Sequence, residues 1–302
     1  MNNIIKDILQ NYQSENPGVK ANLYKLLNHG TLAGTGNLVI LPVDQGFEHG
    51  PEKSFAANPL GYDPHYHFQL AIDAKLSAFA APLGMLQAGA SEFAGQIPLI
   101  LKVNHSNSLN KSSIDQAVIS SVETALQLGC IGIGFTVYPG SDHFMEMIEE
   151  LSYLAEEARK YGLLVVVWSY ARGPELGKDD ETAMDVISYA AHMVCLSGAH
   201  IVKVKLPTAH LKDKSLDKAY MNINDLSERV KYVVRSCFNG KRLVVFSGGA
   251  TKNDDELYNE IKAIKSGGGT GSIIGRNGFQ RKKKDALKMF EKITEIYRVK
   301  FD

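Results

Sequence analysis

The sequence is poor in cysteine and carries no excess charge of either sign. Its three cysteines in 302 residues form no CxxC pair, so neither a disulfide framework nor a zinc knuckle is indicated, and a reducing, cytoplasmic setting fits. Lysine plus arginine and aspartate plus glutamate both number 33, which gives a formal net charge of zero. Nucleic-acid binders usually show a basic excess, so we expect no nucleic-acid partner.

Long apolar runs are also missing. No run reaches the roughly 18 residues that a transmembrane helix requires, and the first ten residues lack the basic start and apolar core of a signal peptide. We therefore expect no membrane partner. We find no linker or low-complexity tract, and we expect a single domain over residues 1–302, in which residues 1–36 form an N-terminal helical extension.

Short apolar runs rich in β-branched residues recur from residue 37 to the end of the chain. Continuous apolar strands of this kind are buried on both faces, as in a parallel sheet. The eight predicted strands are Asn37–Asp44, Ala78–Leu83, Pro98–Asn104, Ile131–Val137, Leu163–Tyr170, His200–Leu206, Arg242–Gly248 and Gly271–Arg276.

Helical periodicity separates the predicted strands. The predicted helices are Ser113–Leu128, Met145–Arg159, Thr182–Leu196, Ile223–Val234, Asp254–Lys265 and Lys284–Tyr297. This alternation predicts an α/β fold, a (β/α)8 TIM barrel with N-terminal capping helices. A doubly wound open sheet is the alternative, but the first strand is not followed by the usual GxGxxG turn.

Polar residues at the carboxyl ends of the strands are the candidates for chemistry, because a barrel places its active site there. Lys203 and Lys205 share one face of the sixth strand by the two-residue period. A desolvated lysine near a second cation has a lowered pKa and is a nucleophile. A structural ion pair is the alternative. Lys203 lies deeper in the strand, so it is the stronger candidate.

Two other strands end in possible acid–base groups. Trp168 and Tyr170 share a face at the end of the fifth strand, either for proton transfer or for core packing. Asp44 ends the first strand, with Glu48 and His49 just beyond it. Asp44 is interpreted either as a base or lysine partner, or as a cap of the following turn.

The seventh and eighth strands end in glycines that suit a phosphate. Glycine lets backbone N–H groups approach oxygen atoms, and arginine adds a bidentate clamp. The residues concerned are Ser247, Gly248, Gly249, Gly275 and Arg276. Barrels often bind phosphate at the loops after these two strands, so a phosphate site is predicted.

The third strand carries Lys102 and Asn104 on one face, which suit either a second polar group of the substrate or a salt-bridge layer. The main competing chemistry is a catalytic zinc, for which His65 and His67 form an HxH pair. No third ligand is clearly placed with them, so we expect no metal and no cofactor.

Taken in order, five segments resemble the bacterial branch of the archaeal-type class I fructose-1,6-bisphosphate aldolases. They are Leu41–Pro51, Trp168–Pro174, Gly198–Lys205, Phe246–Gly249 and Ile274–Asn277. The resemblance implies a barrel, a homo-oligomer, and reversible cleavage of fructose 1,6-bisphosphate to dihydroxyacetone phosphate and glyceraldehyde 3-phosphate. The roles it implies are a Schiff base on Lys203, proton transfer by Tyr170, a catalytic aspartate at Asp44, and substrate contacts at His49 and Trp168. It also implies phosphate binding at Ser247, Gly248, Gly249, Gly275 and Arg276.

Two alternatives stay open on the sequence. The first is a related Schiff-base aldolase, thiolase-like or transaldolase-like, that acts on another phosphosugar. The second is a catalytically silent barrel that binds a phosphosugar. The presence of both Lys203 and Tyr170 argues against the silent barrel. A cleavage assay distinguishes an active aldolase from a barrel that only binds a phosphosugar.

Overall fold

The computed structural model describes residues 3–109, 113–216, 223–248 and 253–299. Its strands are β1 Leu38–Pro42, β2 Ala78–Pro82, β3 Leu99–Lys102, β4 Asn104–His105, β5 Ala117–Val118, β6 Gly132–Val137, β7 Leu164–Ser169, β8 Ile201–Val204, β9 Leu243–Ser247 and β10 Gly271–Ile273. Eight of them close a parallel barrel in the order β1, β10, β9, β8, β7, β6, β3, β2, whereas β4 and β5 form a separate antiparallel pair. The predicted barrel is confirmed, and each barrel strand lies inside its predicted range.

The helices of the described residues surround the barrel. They are α1 Asn3–Gln10, α2 Pro17–Leu27, α3 Gln45–His49, α4 Pro51–Phe55, α5 Pro64–Asp73, α6 Leu83–Gly89, α7 Val122–Gln127, α8 Phe144–Lys160, α9 Met184–Leu196, α10 Leu226–Ser236, α11 Asp254–Ser266, α12 Arg276–Phe279 and α13 Lys283–Arg298. Short 3-10 turns at Pro59–Tyr62 and Asp180–Thr182 lie in the loops after β1 and β7. None of these helices is both long and apolar enough to cross a membrane.

The predicted helix Ser113–Leu128 is wrong over its first half. Only α7 is helical, and its cap is Ser121, whose side chain accepts a hydrogen bond from the Thr124 N–H. The residues before it include β5, which pairs with β4, the short strand that follows β3. Tertiary pairing of the β-branched segment at Val118 overrides the helical spacing that the sequence shows.

Side chains at alternate strand positions fill the barrel in layers. The deep layers are apolar and include Ile40, Ile100 and Val245, all fully buried. Ile5 and Tyr12, from α1 and the turn after it, belong to the same apolar cluster. The N-terminal helices therefore close one end of the barrel, as predicted, and leave the carboxyl ends of the strands as the open end.

Candidate active site

A cavity of about 570 Å³ opens at the carboxyl ends of the strands. Eleven of the twelve predicted site residues line it: Asp44, His49, Lys102, Trp168, Tyr170, Lys203, Lys205, Ser247, Gly248, Gly275 and Arg276. The twelfth, Gly249, lies outside the described residues. Residues from six separate chain segments therefore converge on one space, because parallel strands all end at the same face of the barrel.

Lys203 is a deeply buried amine of this cavity. It stands on β8 opposite Trp168 of β7 and is 4% exposed. Its amine lies 5.2 Å from the centre of the Trp168 ring and 5.6 Å from that of Tyr170. Burial lowers the pKa of Lys203 to about 8, against the opposing effect of Asp44. Lys203 therefore has an appreciable neutral, nucleophilic fraction near neutral pH.

Lys205 has a different environment. It follows the last residue of β8, is half-buried, and its amine lies 2.7 Å from a carboxylate oxygen of Glu181. The sequence suggested two alternative roles for Lys205, either to depress the pKa of Lys203 or to contact a substrate oxygen. The cation that lowers the pKa of Lys203 in the structure is Arg276, on the neighbouring side of the cavity.

The shared face of Trp168 and Tyr170 is the face that lines the cavity. Burial and the nearby carboxylates of Asp44 and Glu48 raise the pKa of Tyr170 well above its usual value. Tyr170 therefore keeps its proton at neutral pH. The Trp168 indole N–H is buried and has no hydrogen-bond partner among the described residues.

The position of the indole depends on a glycine in the neighbouring strand. A Cβ added to Gly134 of β6 would lie 2.5 Å from the Trp168 ring, which is closer than any real contact. Only glycine lets the large ring lie across β6 toward Lys102. The predicted sharing of one cavity by Lys102, Trp168 and Lys203 therefore rests on the absence of a side chain at Gly134.

Lys102 ends β3 and is 2% exposed. Its amine donates a hydrogen bond to Oδ1 of Asn104 at 2.8 Å and a second one to the main-chain oxygen of Asn104. Burial lowers the pKa of Lys102 to about 7, although Asp44 and Glu48 oppose the shift. No carboxylate forms an ion pair with it among the described residues, so the predicted salt-bridge layer is not what holds Lys102.

The predicted phosphate site lies on two adjacent strands. Ser247 ends β9, Gly248 follows it, and Gly275 with Arg276 follows β10. A Cβ on Gly275 would lie 2.9 Å from the Pro42 carbonyl oxygen of β1, so this turn fits only with glycine. The close approach brings the Arg276 guanidinium to the edge of the same cavity.

Sequence reasoning missed a polar cluster on the opposite side of the cavity. The Arg172 guanidinium lies 3.1 Å from Oε1 of Glu48 and 4.8 Å from the ring centre of Tyr138. Gln116 donates a hydrogen bond to the Tyr138 hydroxyl at 2.6 Å. Arg172 stands two residues after Tyr170 in a segment that the resemblance quotes, and that spacing was the available signal.

The HxH pair is divided between two environments. Exposed His65 lies 3.1 Å from Asp63 and 3.2 Å from Glu92, whereas His67 is buried and makes a 2.7 Å hydrogen bond to the Gly61 carbonyl. The described residues contain no group of three or more histidine, cysteine, aspartate or glutamate side chains arranged to hold a metal ion.

Comparison with known proteins identifies relatives of the whole barrel. The model of the DeoC/LacD family of aldolases matches residues 38–281. A probable class 1 fructose-bisphosphate aldolase of Chlamydia muridarum is 36% identical over 297 residues, which cover 93% of this chain and 85% of that protein. The class 1 fructose-bisphosphate aldolase of Thermoproteus tenax is 34% identical over 265 residues, 87% of this chain and 90% of that protein.

A solved structure is similar over the same region. It is an archaeal fructose-1,6-bisphosphate aldolase whose catalytic lysine is covalently bound to the carbinolamine intermediate of the substrate. The identity is 32%, the TM-score is 0.76, and the match covers 90% of this chain and 97% of that chain.

Proposed function

This chain belongs to the DeoC/LacD family of aldolases, and we propose that it is a class I aldolase that cleaves fructose 1,6-bisphosphate reversibly to dihydroxyacetone phosphate and glyceraldehyde 3-phosphate. Relatives of similar length are named class 1 fructose-bisphosphate aldolases. The observation that carries the proposal is the buried amine of Lys203, with a pKa lowered to about 8, beside a protonated Tyr170. A neutral amine attacks a ketone to form the Schiff base, and a nearby proton donor then protonates the enamine carbon.

The proposed reaction begins with attack of the Lys203 amine on the C2 carbonyl of the ketose. Loss of water from the carbinolamine leaves an iminium, which withdraws electrons as the C3–C4 bond breaks. A base takes the proton of the C4 hydroxyl. Of the two candidates, Asp44 suits this step better, because the raised pKa of Tyr170 keeps its phenol protonated. Tyr170 then protonates the enamine carbon, and hydrolysis frees the lysine.

The remaining predicted residues hold the substrate in this scheme. Ser247, Gly248 and Arg276 receive the phosphate next to the reacting ketone. Trp168 lines the same cavity, and in this scheme its indole N–H, which has no partner among the described residues, donates to a substrate oxygen. His49 and Lys205 contact the substrate from the rim. Fixing both ends of the sugar aligns the reacting atoms, which is the main rate contribution of such contacts.

Borohydride trapping with dihydroxyacetone phosphate tests the proposal. Reduction of the imine should add one mass adduct, and peptide mass spectrometry should place it on Lys203. Lys203→Met should abolish both trapping and cleavage of fructose 1,6-bisphosphate, because no other amine carries the imine. Lys205→Met is the matched control, since Lys205 lies two residues away with an ion pair to Glu181.

Lys205→Met should retain trapping at a reduced rate. An adduct on Lys205, or trapping that persists in Lys203→Met, would contradict the assignment of the imine to Lys203. A protein that traps dihydroxyacetone phosphate on Lys203 but cleaves only other phosphorylated ketoses would keep the mechanism and replace the substrate. A protein that forms no adduct at all would contradict the Schiff-base mechanism itself.

A further inference from the structure

Two buried amines face the cavity, but the reaction uses only one of them as a nucleophile. The Lys102 amine lies 5.8 Å and the Lys203 amine 5.2 Å from the centre of the same indole ring of Trp168. Both side chains are nearly inaccessible, at 2% and 4% exposure. Burying a second cationic group beside a nucleophilic lysine is costly unless that group has a function or a close partner.

Asn104 holds the Lys102 amine in a defined orientation. The Asn104 side chain is fixed by the backbone of Thr136, which accepts from Nδ2 at 2.8 Å and donates to Oδ1 at 2.7 Å. Lys102 in turn donates to Oδ1 and to the main-chain oxygen of Asn104. These two bonds use two of the three N–H groups of an ammonium. The described residues offer no acceptor for the third.

This arrangement tolerates the loss of one proton. A neutral amine has two N–H groups and a lone pair, so it keeps both hydrogen bonds to Asn104. Only the third position changes, from an N–H donor to a lone pair. Lys102 can therefore give up or take back a proton without any movement of the side chains that hold it.

The charges around Lys102 place this exchange near neutral pH. The titratable groups that face it are Asp44, Glu48, His105 and Lys203. Burial lowers the pKa of Lys102 to about 7, the two carboxylates raise it, and Lys203 lowers it. His105 stays neutral there, because burial and Lys102 lower its pKa to about 4.

We propose that Lys102 is the general acid that removes the oxygen of the carbinolamine on Lys203. The inference rests on the function proposed above. The lone pair of the Lys203 nitrogen forms the C=N bond while the C–O bond breaks. The departing hydroxyl takes the third proton of the Lys102 ammonium and leaves as water. The products are a cationic iminium on Lys203 and a neutral amine on Lys102, and hydrolysis of the later imine reverses the transfer.

Charge is conserved within the cavity by this step. One positive charge is present on Lys102 before dehydration, and one is present on the iminium afterwards. Two positive charges that share a poorly solvated site repel each other more strongly than they would in water. Proton transfer from Lys102 avoids that repulsion at the moment when the iminium becomes a permanent cation.

The step requires a specific protonation state. Lys203 must be neutral when it attacks, and Lys102 must be protonated when water leaves, so the pair must carry one proton in total. The rate of imine formation should therefore pass through a maximum between the two apparent pKa values of the pair. It should fall at lower pH because both amines are protonated, and at higher pH because neither is.

The test compares rates of borohydride trapping on Lys203 in the wild-type protein and in Lys102→Met across the pH range. Methionine fills the space of the lysine stem, and Asn104 keeps both of its bonds to Thr136. Trapping should slow by about 10²-fold or more, as for other general acids. The alkaline fall should disappear, since only Lys203 then titrates. Lys160→Met, at an exposed lysine on α8, is the matched control and should leave the profile unchanged.

Chemical rescue separates proton transfer from a structural effect. Ethylamine supplied to Lys102→Ala should restore trapping in proportion to its ammonium concentration, whereas sodium chloride at the same ionic strength should not. Wild-type-like trapping rates and an unchanged bell-shaped profile in Lys102→Met would overturn the inference while leaving the Schiff-base mechanism intact. A wild-type protein that forms no adduct on Lys203 would overturn the proposed function and this inference together.

Discussion

Three of the lysines that line the cavity, Lys102, Lys203 and Lys205, differ in burial and in their nearest partners. Lys203 and Lys102 have lowered pKa values, about 8 and about 7, since burial disfavours their charged forms. Lys205 is half-buried and forms a short ion pair with Glu181. Period-two spacing put Lys203 and Lys205 on one face, but it could not supply these partners. Glu181 lies 24 residues away in a different loop.

The proposed role of Tyr170 gives a prediction at the same scale. Tyr170→Phe keeps the ring and removes the proton donor. Because positioned acid–base groups typically contribute about 10²–10⁴-fold, kcat for cleavage should fall within that range. Borohydride trapping on Lys203 should continue, since the nucleophile is intact. Steady-state cleavage and single-turnover trapping measure the two effects.

Proton exchange at C3 of dihydroxyacetone phosphate gives an independent readout for this variant. Loss of exchange together with retained trapping is the expected pair of results. Near-normal kcat in Tyr170→Phe would instead return this ring to a packing role against Lys203 and the core residues beside it.

At the scale of elements, two strand ends form the predicted phosphate site, and the neighbouring strand β1 restricts the space there. β9 and β10 are adjacent and in register from Val245–Gly271 to Ser247–Ile273, so their following residues emerge side by side. Gly275 touches the β1 backbone, which leaves no room for a larger residue. The sequence predicted these positions because glycines followed two consecutive strands, and a barrel brings consecutive strand ends together.

Arg276→Ala tests this site. Loss of one charge-assisted contact to phosphate costs about 2–3 kcal/mol, which corresponds to roughly a 30- to 150-fold increase in KM. The change should also move the acidic limb of the trapping profile to higher pH, since Arg276 lowers the pKa of Lys203. Cleavage kinetics and trapping at saturating substrate measure both effects.

Arg276→Lys is the matched variant for this prediction. It keeps the positive charge and loses the bidentate geometry, so it should raise KM less than alanine does. Its trapping profile should stay close to that of the wild type. An unchanged KM in Arg276→Ala would place the phosphate elsewhere in the cavity.

At the scale of the whole molecule, buried histidines stabilise the closed barrel in their neutral form. His67 packs against Phe55 and Phe279, and His105 stacks on Phe47 at 4.6 Å. Burial lowers the pKa of both histidines to about 4. His67 joins α5 to the loop that carries Asp44 and His49, through its hydrogen bond to the Gly61 carbonyl. Stability and the shape of the active site are therefore linked.

The pH dependence of stability follows from these shifts. An unfolded histidine binds a proton below about pH 6.5, whereas folded His67 and His105 do so only near pH 4. Their contribution is complete above the unfolded pKa and is lost as the pH falls toward 4. Each histidine should reduce the free energy of unfolding by up to about 1.4 kcal/mol per pH unit in that window. Urea unfolding between pH 4.5 and 7.5 measures the slope.

His67→Gln isolates one of the two contributions. Its amide N–H can still donate to the Gly61 carbonyl, so the loop contact is retained while the titrating group is removed. The slope of unfolding free energy against pH should decrease by up to about 1.4 kcal/mol per unit. His143→Gln, at an exposed histidine, controls for the loss of an imidazole. The same slope in wild type and His67→Gln would contradict the prediction.

The sequence by itself determined the barrel, its eight strands and eleven of the residues that line the cavity. Period-two alternation, glycines at strand ends and polar residues in apolar runs are local signals, and they follow from burial on both faces of a parallel sheet. The resemblance to class I aldolases is likewise confirmed. The single domain, the homo-oligomer, the cytoplasmic location and the individual catalytic roles stay predictions.

Only the tertiary structure decided the partners of those residues. The Arg172–Glu48 pair, the Lys205–Glu181 pair and the β4–β5 pairing join segments that lie apart in the chain. Gly134 and Trp168 also lie apart in the chain, and the absence of a side chain at Gly134 leaves the space that the Trp168 ring occupies. Spacing along a strand fixes which way a side chain points, but ion pairing, desolvation and steric room depend on what other segments bring to that point.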